Sequence, residues 1–157
     1  MLNTETSTTS KVSFANWIFP NEATIRADFD EYKKKEDAKW RERARHMGFR
    51  FPIFETYENF ENALRSAAIT ELTAEQDQYI MNRSHCRSIS ALKSLVNSYT
   101  YPRDVDRIVD GYNTNAAMPM PIVLWGKHGQ WIMTGNTRLD TAFILGIKPQ
   151  IMEVKAF

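Results

Sequence analysis

One short loop near the end of the chain carries residue types that could bind an anion. It reads Gly135, Asn136, Thr137 and Arg138, and it lies between an apolar run and a short helical pattern. A glycine permits backbone turns that other residues adopt with difficulty, and the first N–H groups of a helix have no partners within that helix. The forked guanidinium of Arg138, in the first turn of the helix, would suit phosphate oxygens. The simpler alternative is a turn glycine followed by an arginine in a surface ion pair.

Two further arginines could form a second wall of such a site. Arg103 and Arg107 are four residues apart and would share one face of a predicted helix. Salt bridges to Asp104 or Asp110 are an equally good use of their charges. We therefore predict a nucleotide-binding set of six residues, namely Gly135, Asn136, Thr137, Arg138, Arg103 and Arg107.

Phosphoryl transfer would also need carboxylates to hold Mg²⁺. Asp104 and Asp106 lie just after Arg103, and Asp140 lies two residues after Arg138, so each could approach a phosphate. Acidic residues at such positions also suit helix N-termini, where they need no catalytic role. No zinc-type spacing of cysteine and histidine is present. We predict no resident metal site and leave open whether Mg²⁺ accompanies a nucleotide.

The C-terminal third contains the elements that would position the loop. The apolar runs from Pro121 to Trp125 and from Trp131 to Thr134 predict a hairpin, since turn residues separate them. A short helix that ends at Gly146 and a strand from Ile151 to Val154 follow, which together make a βαβ-like element. Lys127 and His128 at the hairpin tip could contact a polyanion or a nucleobase between the two tryptophans. A polar turn with packing tryptophans is the simpler interpretation.

The N-terminal half reads as mainly helical. Asn21 is placed to cap a charged helix that runs to about Met47 and ends at Gly48. Its thin apolar stripe predicts either a solvated arm docked by a few aromatic residues or a partner-binding helix. The stripe consists of Ile25, Phe29, Tyr32 and Trp40.

The residues that follow predict a short extended segment and then further helices. Residues 49–54 alternate like an edge strand, and apolar spacing predicts a helix from Tyr57 to Ile69. Thr73 and Gln76 form a capping-box pattern that opens a helix through Met81. Two more helices are predicted, from Ser88 to Tyr99 and after Pro102. These four helices and the charged helix before them would thus precede any firm strand.

The stretch from Ile132 to Gly146 resembles a known family element. It is similar to the G-x-x-R loop, alanine-bearing helix and glycine of the ParB/sulfiredoxin superfamily. Upstream, Tyr101 to Arg103 and Met120 to Val123 resemble the family's N-P-R and P-P-I-x-V segments in the expected order. The resemblance covers about a third of the chain and implies that the Gly135 loop contacts the phosphates of a nucleotide, such as ATP or CTP.

The sequence also departs from the family pattern. Sulfiredoxin-like members have a nucleophilic cysteine directly after the glycine, where this chain has Asn136. An amide cannot replace a thiolate, so the sequence argues against sulfinic-acid reduction. Thr134 and Thr137 stand where many members have aspartate and histidine. The resemblance therefore implies nucleotide binding more directly than it implies any reaction.

The composition predicts a single ordinary globular protein. The chain has 157 residues, of which 43% are hydrophobic and 25% charged, and its net charge of +1 gives no general attraction to nucleic acid. One cysteine, no secretion signal and no apolar run of membrane length lead us to expect a cytoplasmic protein. The predicted fold is α+β: a flexible tail over 1–13, a helical N-terminal extension over 14–87 packed on a ParB/sulfiredoxin-like mixed sheet, and a nucleotide-binding core over 88–157.

Two functions follow as hypotheses. The first is a ParB-like protein that binds a nucleoside triphosphate and acts in phage or bacterial nucleic-acid metabolism, with NTP hydrolysis or kinase-like phosphoryl transfer left open. DNA is a further candidate partner. The alternative is a catalytically inactive ParB-fold protein that binds a host or phage protein through its helical half. Neither hypothesis involves a membrane.

Overall fold

The computed structural model describes residues 14–36, 38–99 and 103–157. The predicted tail over 1–13, and Tyr101 and Pro102 of the family-like upstream segment, lie outside this part of the chain. The described part is α+β, with seven helices and seven strands. In chain order they are β1 (Trp17–Ile18), α1 (Glu22–Lys35), α2 (Ala38–Met47), α3 (Tyr57–Arg65), β2 (Ala68–Glu71), α4 (Ala74–Asp77), β3 (Ile80–Met81), α5 (Ile89–Val96), α6 (Val105–Asn113), β4 (Met118–Pro119), β5 (Ile122–Trp125), β6 (Gln130–Thr134), α7 (Asn136–Ile144) and β7 (Gln150–Lys155).

Five strands form a mixed sheet in the order β2-β7-β5-β6-β3. The central strand β5 is antiparallel to β6 and parallel to β7, while β2 runs antiparallel to β7 and β3 runs parallel to β6. Separately, β1 and β4 pair in parallel, with Trp17 opposite Met118. The short outer strands β2 and β3 both come from residues 68–81, so the N-terminal half supplies both edges of the sheet.

Alternation along β5 shows how the layers pack. Ile122 and Leu124 belong to the large apolar cluster that includes the buried residues of α1, α2 and α3. Val123, which points to the opposite face, belongs to a second cluster with Leu139 of α7. Successive side chains of a strand point to opposite faces, so the N-terminal helices pack on one face of the sheet while Leu139 of α7 packs on the other. Ala142 of α7 reaches the cluster of the N-terminal helices. The strand β6, which leads into the Gly135 loop, lies between these two layers.

The C-terminal elements agree with the sequence prediction. The hairpin forms as β5 and β6, and α7 and β7 follow it, with Gly146 at a φ of +76° just after the helix. The element differs from a simple βαβ unit because β7 pairs with β5 and not with β6. The hairpin tip packs on the end of α2, where the N–H of His128 donates to the Met47 carbonyl at 3.0 Å.

The predicted long charged helix is in fact two helices. Asn21 caps α1 as expected, since its Oδ1 accepts from the N–H of Thr24 at 2.8 Å. The helix ends after Lys35, and Glu36 has a non-helical ψ of 85°. Gly48 ends α2 with a φ of +70°. The apolar stripe is buried against the core, with Tyr32 only 4% exposed, so it is a docked arm and does not offer its apolar face to a partner.

Between residues 49 and 81, three predicted elements differ from the structure in type or in extent. Residues 49–54 form no strand, and the amide of Phe54 instead donates to the Tyr32 hydroxyl at 3.4 Å. The helix predicted from Tyr57 to Ile69 ends at Arg65, because the chain then enters β2. The Thr73 capping box is present, but α4 has only four residues and β3 follows it. Strands therefore precede the last helices, in contrast to the predicted order.

The remaining helices match their patterns. Ser88 caps α5, which buries Leu92 and Val96, and Asp104 caps α6. Within the described ranges, every helix is too short or too polar to cross a bilayer.

Candidate functional site

The Gly135 loop opens onto a groove of about 960 Å³. Its walls come from α1, α2, β6 and the first turn of α7, so both halves of the chain contribute. Concave sites of this size commonly accommodate small ligands. The charged residues that line it are Asp28, Glu31, Lys35, Arg43, Arg103 and Arg138.

The glycine of the loop is required by both conformation and space. Gly135 has a φ of +100°, and a Cβ at this position would lie 2.5 Å from the Cβ of Pro121. A side chain would be strained by the positive φ and would also collide with the proline. The sequence prediction that this glycine serves a tight turn is confirmed.

The loop leads directly into α7, which begins at Asn136. No described side chain caps this helix, and its first internal hydrogen bond runs from the N–H of Leu139 to the Gly135 carbonyl at 2.9 Å. The earlier N–H groups, those of Asn136, Thr137 and Arg138, are the donors that an α-helix leaves without helical partners. All three residues line the groove.

Arg138 extends from this turn and is held in place at two points. Its Nη1 donates to the Pro119 carbonyl at 3.0 Å, and its own carbonyl accepts from the Tyr112 hydroxyl at 2.9 Å. Burial lowers the pKa of the guanidinium, and Asp28 and Tyr112 act in the opposite direction. A guanidinium in a partly desolvated wall interacts more strongly with an anion than a fully solvated one does.

Asn136 borders the groove but its side chain is already occupied. Its Oδ1 accepts hydrogen bonds from Arg83 and from the N–H of Ser84, the latter at 3.2 Å. Its Nδ2 donates to the Asn82 carbonyl at 3.1 Å. The predicted role of Asn136 as a ligand group is therefore restricted to its backbone. The side chain instead ties the loop to the segment over 82–86.

A buried ionic network lies behind this loop. Arg83 has a side chain only 1% exposed, and its Nε and Nη2 donate to the two carboxylate oxygens of Asp77 at 2.7 and 3.0 Å. Its Nη2 also lies 2.8 Å from Oδ1 of Asp140, an ion pair without hydrogen-bond alignment. The other oxygen of Asp140 accepts from the Ser84 hydroxyl and the Cys86 amide. One cation thus balances two buried carboxylates.

The carboxylates predicted from the sequence do not border the groove. Asp140 is 1% exposed within the Arg83 network, which corrects the expectation that it could approach a phosphate. Asp104 caps α6 through a 3.0 Å bond from the Arg107 amide, and Asp106 pairs with Lys93 at 2.7 Å. Each therefore has a structural role.

The two arginines that were predicted to form a second wall do not both line the groove. Arg103 borders the groove together with the Gly135 loop. Arg107 is exposed on α6 and is not among the residues that line the groove. The helix begins only at Val105, so the two residues do not share a helical face as the four-residue spacing suggested. Of the six predicted residues, five border the groove.

Sequence reasoning missed the acidic side of the groove. Asp28 and Glu31, three residues apart on α1, both line it. Burial raises the pKa of Asp28 from 3.8 to about 6; Arg138 lowers it in part and Glu31 adds to the increase. The sequence did contain a signal for the burial of Asp28. This residue precedes Phe29 of the apolar stripe and therefore lies near the docked face of α1.

Asp28 should make the folding stability depend on pH. Between about pH 4 and pH 6 the folded chain keeps a proton on Asp28 that the unfolded chain has released, so stability falls as the pH rises through this range. The expected decrease is on the order of 2 kcal/mol. Urea unfolding at several pH values should show it in the wild type and not in Asp28→Asn. Asp30→Asn, an exposed change on the same helix, is the control, and parallel curves for all three proteins would contradict the prediction.

The neighbouring His85 and Cys86 do not form a reactive centre. His85 Nε2 lies 3.3 Å from an Asp77 oxygen at the edge of the ionic network. Burial and the charge of Asp140 raise the pKa of the Cys86 thiol, which disfavours the reactive thiolate. Among the described residues, no three histidine, cysteine, aspartate or glutamate side chains come together as a metal site.

No protein-family model matches the chain, and comparisons with curated proteins and with solved structures find no match either. The resemblance to the ParB/sulfiredoxin superfamily therefore stays a prediction from the sequence.

Proposed function

We propose that the groove binds a nucleoside triphosphate, with its phosphates at the start of α7. The observation that carries this proposal is that Arg138 and the other residues of the uncapped first turn of α7 line the same groove of about 960 Å³. Backbone N–H groups and the positive end of a helix favour anions, and an arginine fork adds charge-assisted hydrogen bonds. Arg103, on the same groove, supplies a second positive charge.

A polyphosphate fits this wall better than a single small anion does. Arg138 and Arg103 both border the groove, together with Lys35 of α1. A polyphosphate carries several anionic groups, so it can contact more of these cations than an anion with a single charged group can. The chain as a whole carries a net charge of +1, so the attraction is local to the groove.

The mixed sheet with its strand, Gly135 loop and helix supports the proposed relationship to the ParB/sulfiredoxin superfamily. We extend that relationship only to the nucleotide-binding element. The N-terminal helices that complete the groove have no counterpart in the resemblance, which began near Tyr101.

Hydrolysis or phosphoryl transfer would have to use the acidic side of the groove. Asp28 and Glu31 are carboxylates that border it, and Mg²⁺ bound with a nucleotide usually keeps waters and takes one or two carboxylates. A group with a pKa of about 6 is suited to proton transfer near neutral pH. Asp28 is therefore the residue that a catalytic function would employ.

The proposal is tested by calorimetric titration of the full chain with ATP, CTP, GTP and inorganic triphosphate. We expect saturable binding of at least one nucleotide that weakens as salt is added, because the phosphate contacts are ionic. Adenosine, which has no phosphate, is the matched control and should bind far more weakly. Failure of every nucleotide and of triphosphate to bind at millimolar concentration would refute the proposal.

A further inference from the structure

The groove has an aromatic wall that has no role in the proposed phosphate site at the start of α7. We call that site the phosphate seat. Trp131 on β6 and Trp40 on α2 lie with ring centroids 5.8 Å apart, and Tyr32 packs on Trp40 at 6.0 Å. All three rings line the groove; Trp40 and Tyr32 are buried, whereas Trp131 is half-buried. Trp40 contacts Trp131 and is itself packed on Tyr32, so the position of the Trp131 ring in the wall is restricted.

Arg43 of α2 lies over this wall. Its guanidinium carbon is 5.0 Å from the centroid of the Trp131 ring and 5.9 Å from that of Trp40. A cation over an indole ring is attracted by the ring's negative face. The arrangement holds up to five N–H donors beside a flat aromatic surface at the edge of the groove.

The spacing along β6 relates this wall to the phosphate seat. Gly135 follows Trp131 by four positions along an extended strand, and this spacing corresponds to about 13 Å. That separation is comparable with the extended length of a nucleoside triphosphate. A ligand with its phosphates at the start of α7 would thus place its base near Trp131.

We propose that Trp131 and Arg43 form a nucleobase subsite, in which the guanidinium moves from its position over the indole to the edge of a base that stacks on the ring. This inference rests on the proposed nucleotide binding, and it adds that the protein recognises the base of the nucleotide. Every nucleobase is planar and can stack on an aromatic side chain. The N–H donors of arginine match the ring-nitrogen and carbonyl acceptors at the edge of a base. An aliphatic or purely anionic ligand would use neither feature.

The inference also assigns a role to the N-terminal helices. Arg43 and Trp40 both belong to α2, which lies outside the part of the chain that carries the phosphate loop. The hairpin tip fixes α2 against β6, because the N–H of Lys127 donates to the Gly48 carbonyl at 3.3 Å. The helical half would then provide base recognition, while the C-terminal half provides phosphate binding.

The test compares the affinity for a nucleoside triphosphate with that for inorganic triphosphate, using the full chain. Stacking should make the nucleotide bind about 5- to 100-fold more tightly than triphosphate in the wild type. Trp131→Leu should bring this ratio close to one with little change in triphosphate affinity. Trp131→Phe, which keeps a smaller ring and fills more of the space, should give an intermediate ratio. Arg43→Gln should also reduce the ratio.

Trp125→Leu is the matched control, because Trp125 is a half-exposed tryptophan on the adjacent strand that does not border the groove. It should leave the ratio unchanged. Equal binding of nucleotide and triphosphate by the wild type, or equal losses for both ligands in Trp131→Leu, would overturn the base subsite and leave the phosphate seat intact. If neither ligand binds the wild type, the proposed function and the subsite are both wrong.

Discussion

Replacing Arg138 with alanine is expected to weaken nucleoside triphosphate binding about 10- to 100-fold. A hydrogen bond to a charged group contributes about 1.5–3 kcal/mol, and each 1.4 kcal/mol corresponds to about tenfold in affinity. The guanidinium is partly desolvated, which strengthens its interaction with an anion. Inorganic triphosphate should lose affinity by a similar factor, since the lost contacts are to phosphate.

Arg107→Ala is the matched control for this experiment. It removes the same charge from an exposed position of α6 that does not border the groove, so affinity should change less than about twofold. Arg138→Lys separates charge from geometry, because lysine keeps the positive charge but loses the fork that contacts Pro119. Thermal unfolding of each variant should show a folded protein. Unchanged nucleotide affinity in folded Arg138→Ala would mean that the phosphates do not bind at this turn.

Replacing Arg83 with methionine is expected to destabilise the fold by about 3–5 kcal/mol. The substitution leaves Asp77 and Asp140 buried, at 4% and 1% exposure, without the cation that balances them. It also removes the contacts that hold Asn136, so the loop should lose order together with the network. Chemical unfolding measured by circular dichroism gives the change in free energy.

Lys93→Met provides the surface comparison. Lys93 pairs with Asp106 at 2.7 Å between two exposed side chains, and loss of such a pair should cost less than about 1 kcal/mol. A second variant that combines Arg83→Met with Asp77→Asn and Asp140→Asn should regain part of the lost stability, because no buried charge is then unbalanced. Equal, small effects of Arg83→Met and Lys93→Met would show that the buried network contributes little.

Local signals predicted the elements next to the site. The local sequence is sufficient to predict an element whose conformation depends on a few neighbouring residues. This holds for the turns at Gly135 and Gly146 and for the two apolar runs of the hairpin. The capping residues Asn21 and Ser88 were predicted for the same reason. These elements include the loop that anchors the proposed phosphate seat.

Features that depend on distant residues were not predictable in this way. The strand β2 forms because β7, about 80 residues later, offers it a partner, and its own pattern resembled the end of a helix. Likewise, Asp140 follows the loop closely, yet its carboxylate is buried against Arg83 and does not line the groove. Asp28 and Arg43 border the groove only because the break after Lys35 lets both α1 and α2 pack on the sheet.

The origin of the outer strands limits how the chain can be divided. A fragment over 88–157 would retain β5, β6 and β7 but would lack both neighbours, β2 and β3, that cover its flanks. Unpaired flanks of a sheet are templates for association with other chains. The two halves therefore form one folding unit, and deletion of the N-terminal half would expose the outer edges of β6 and β7.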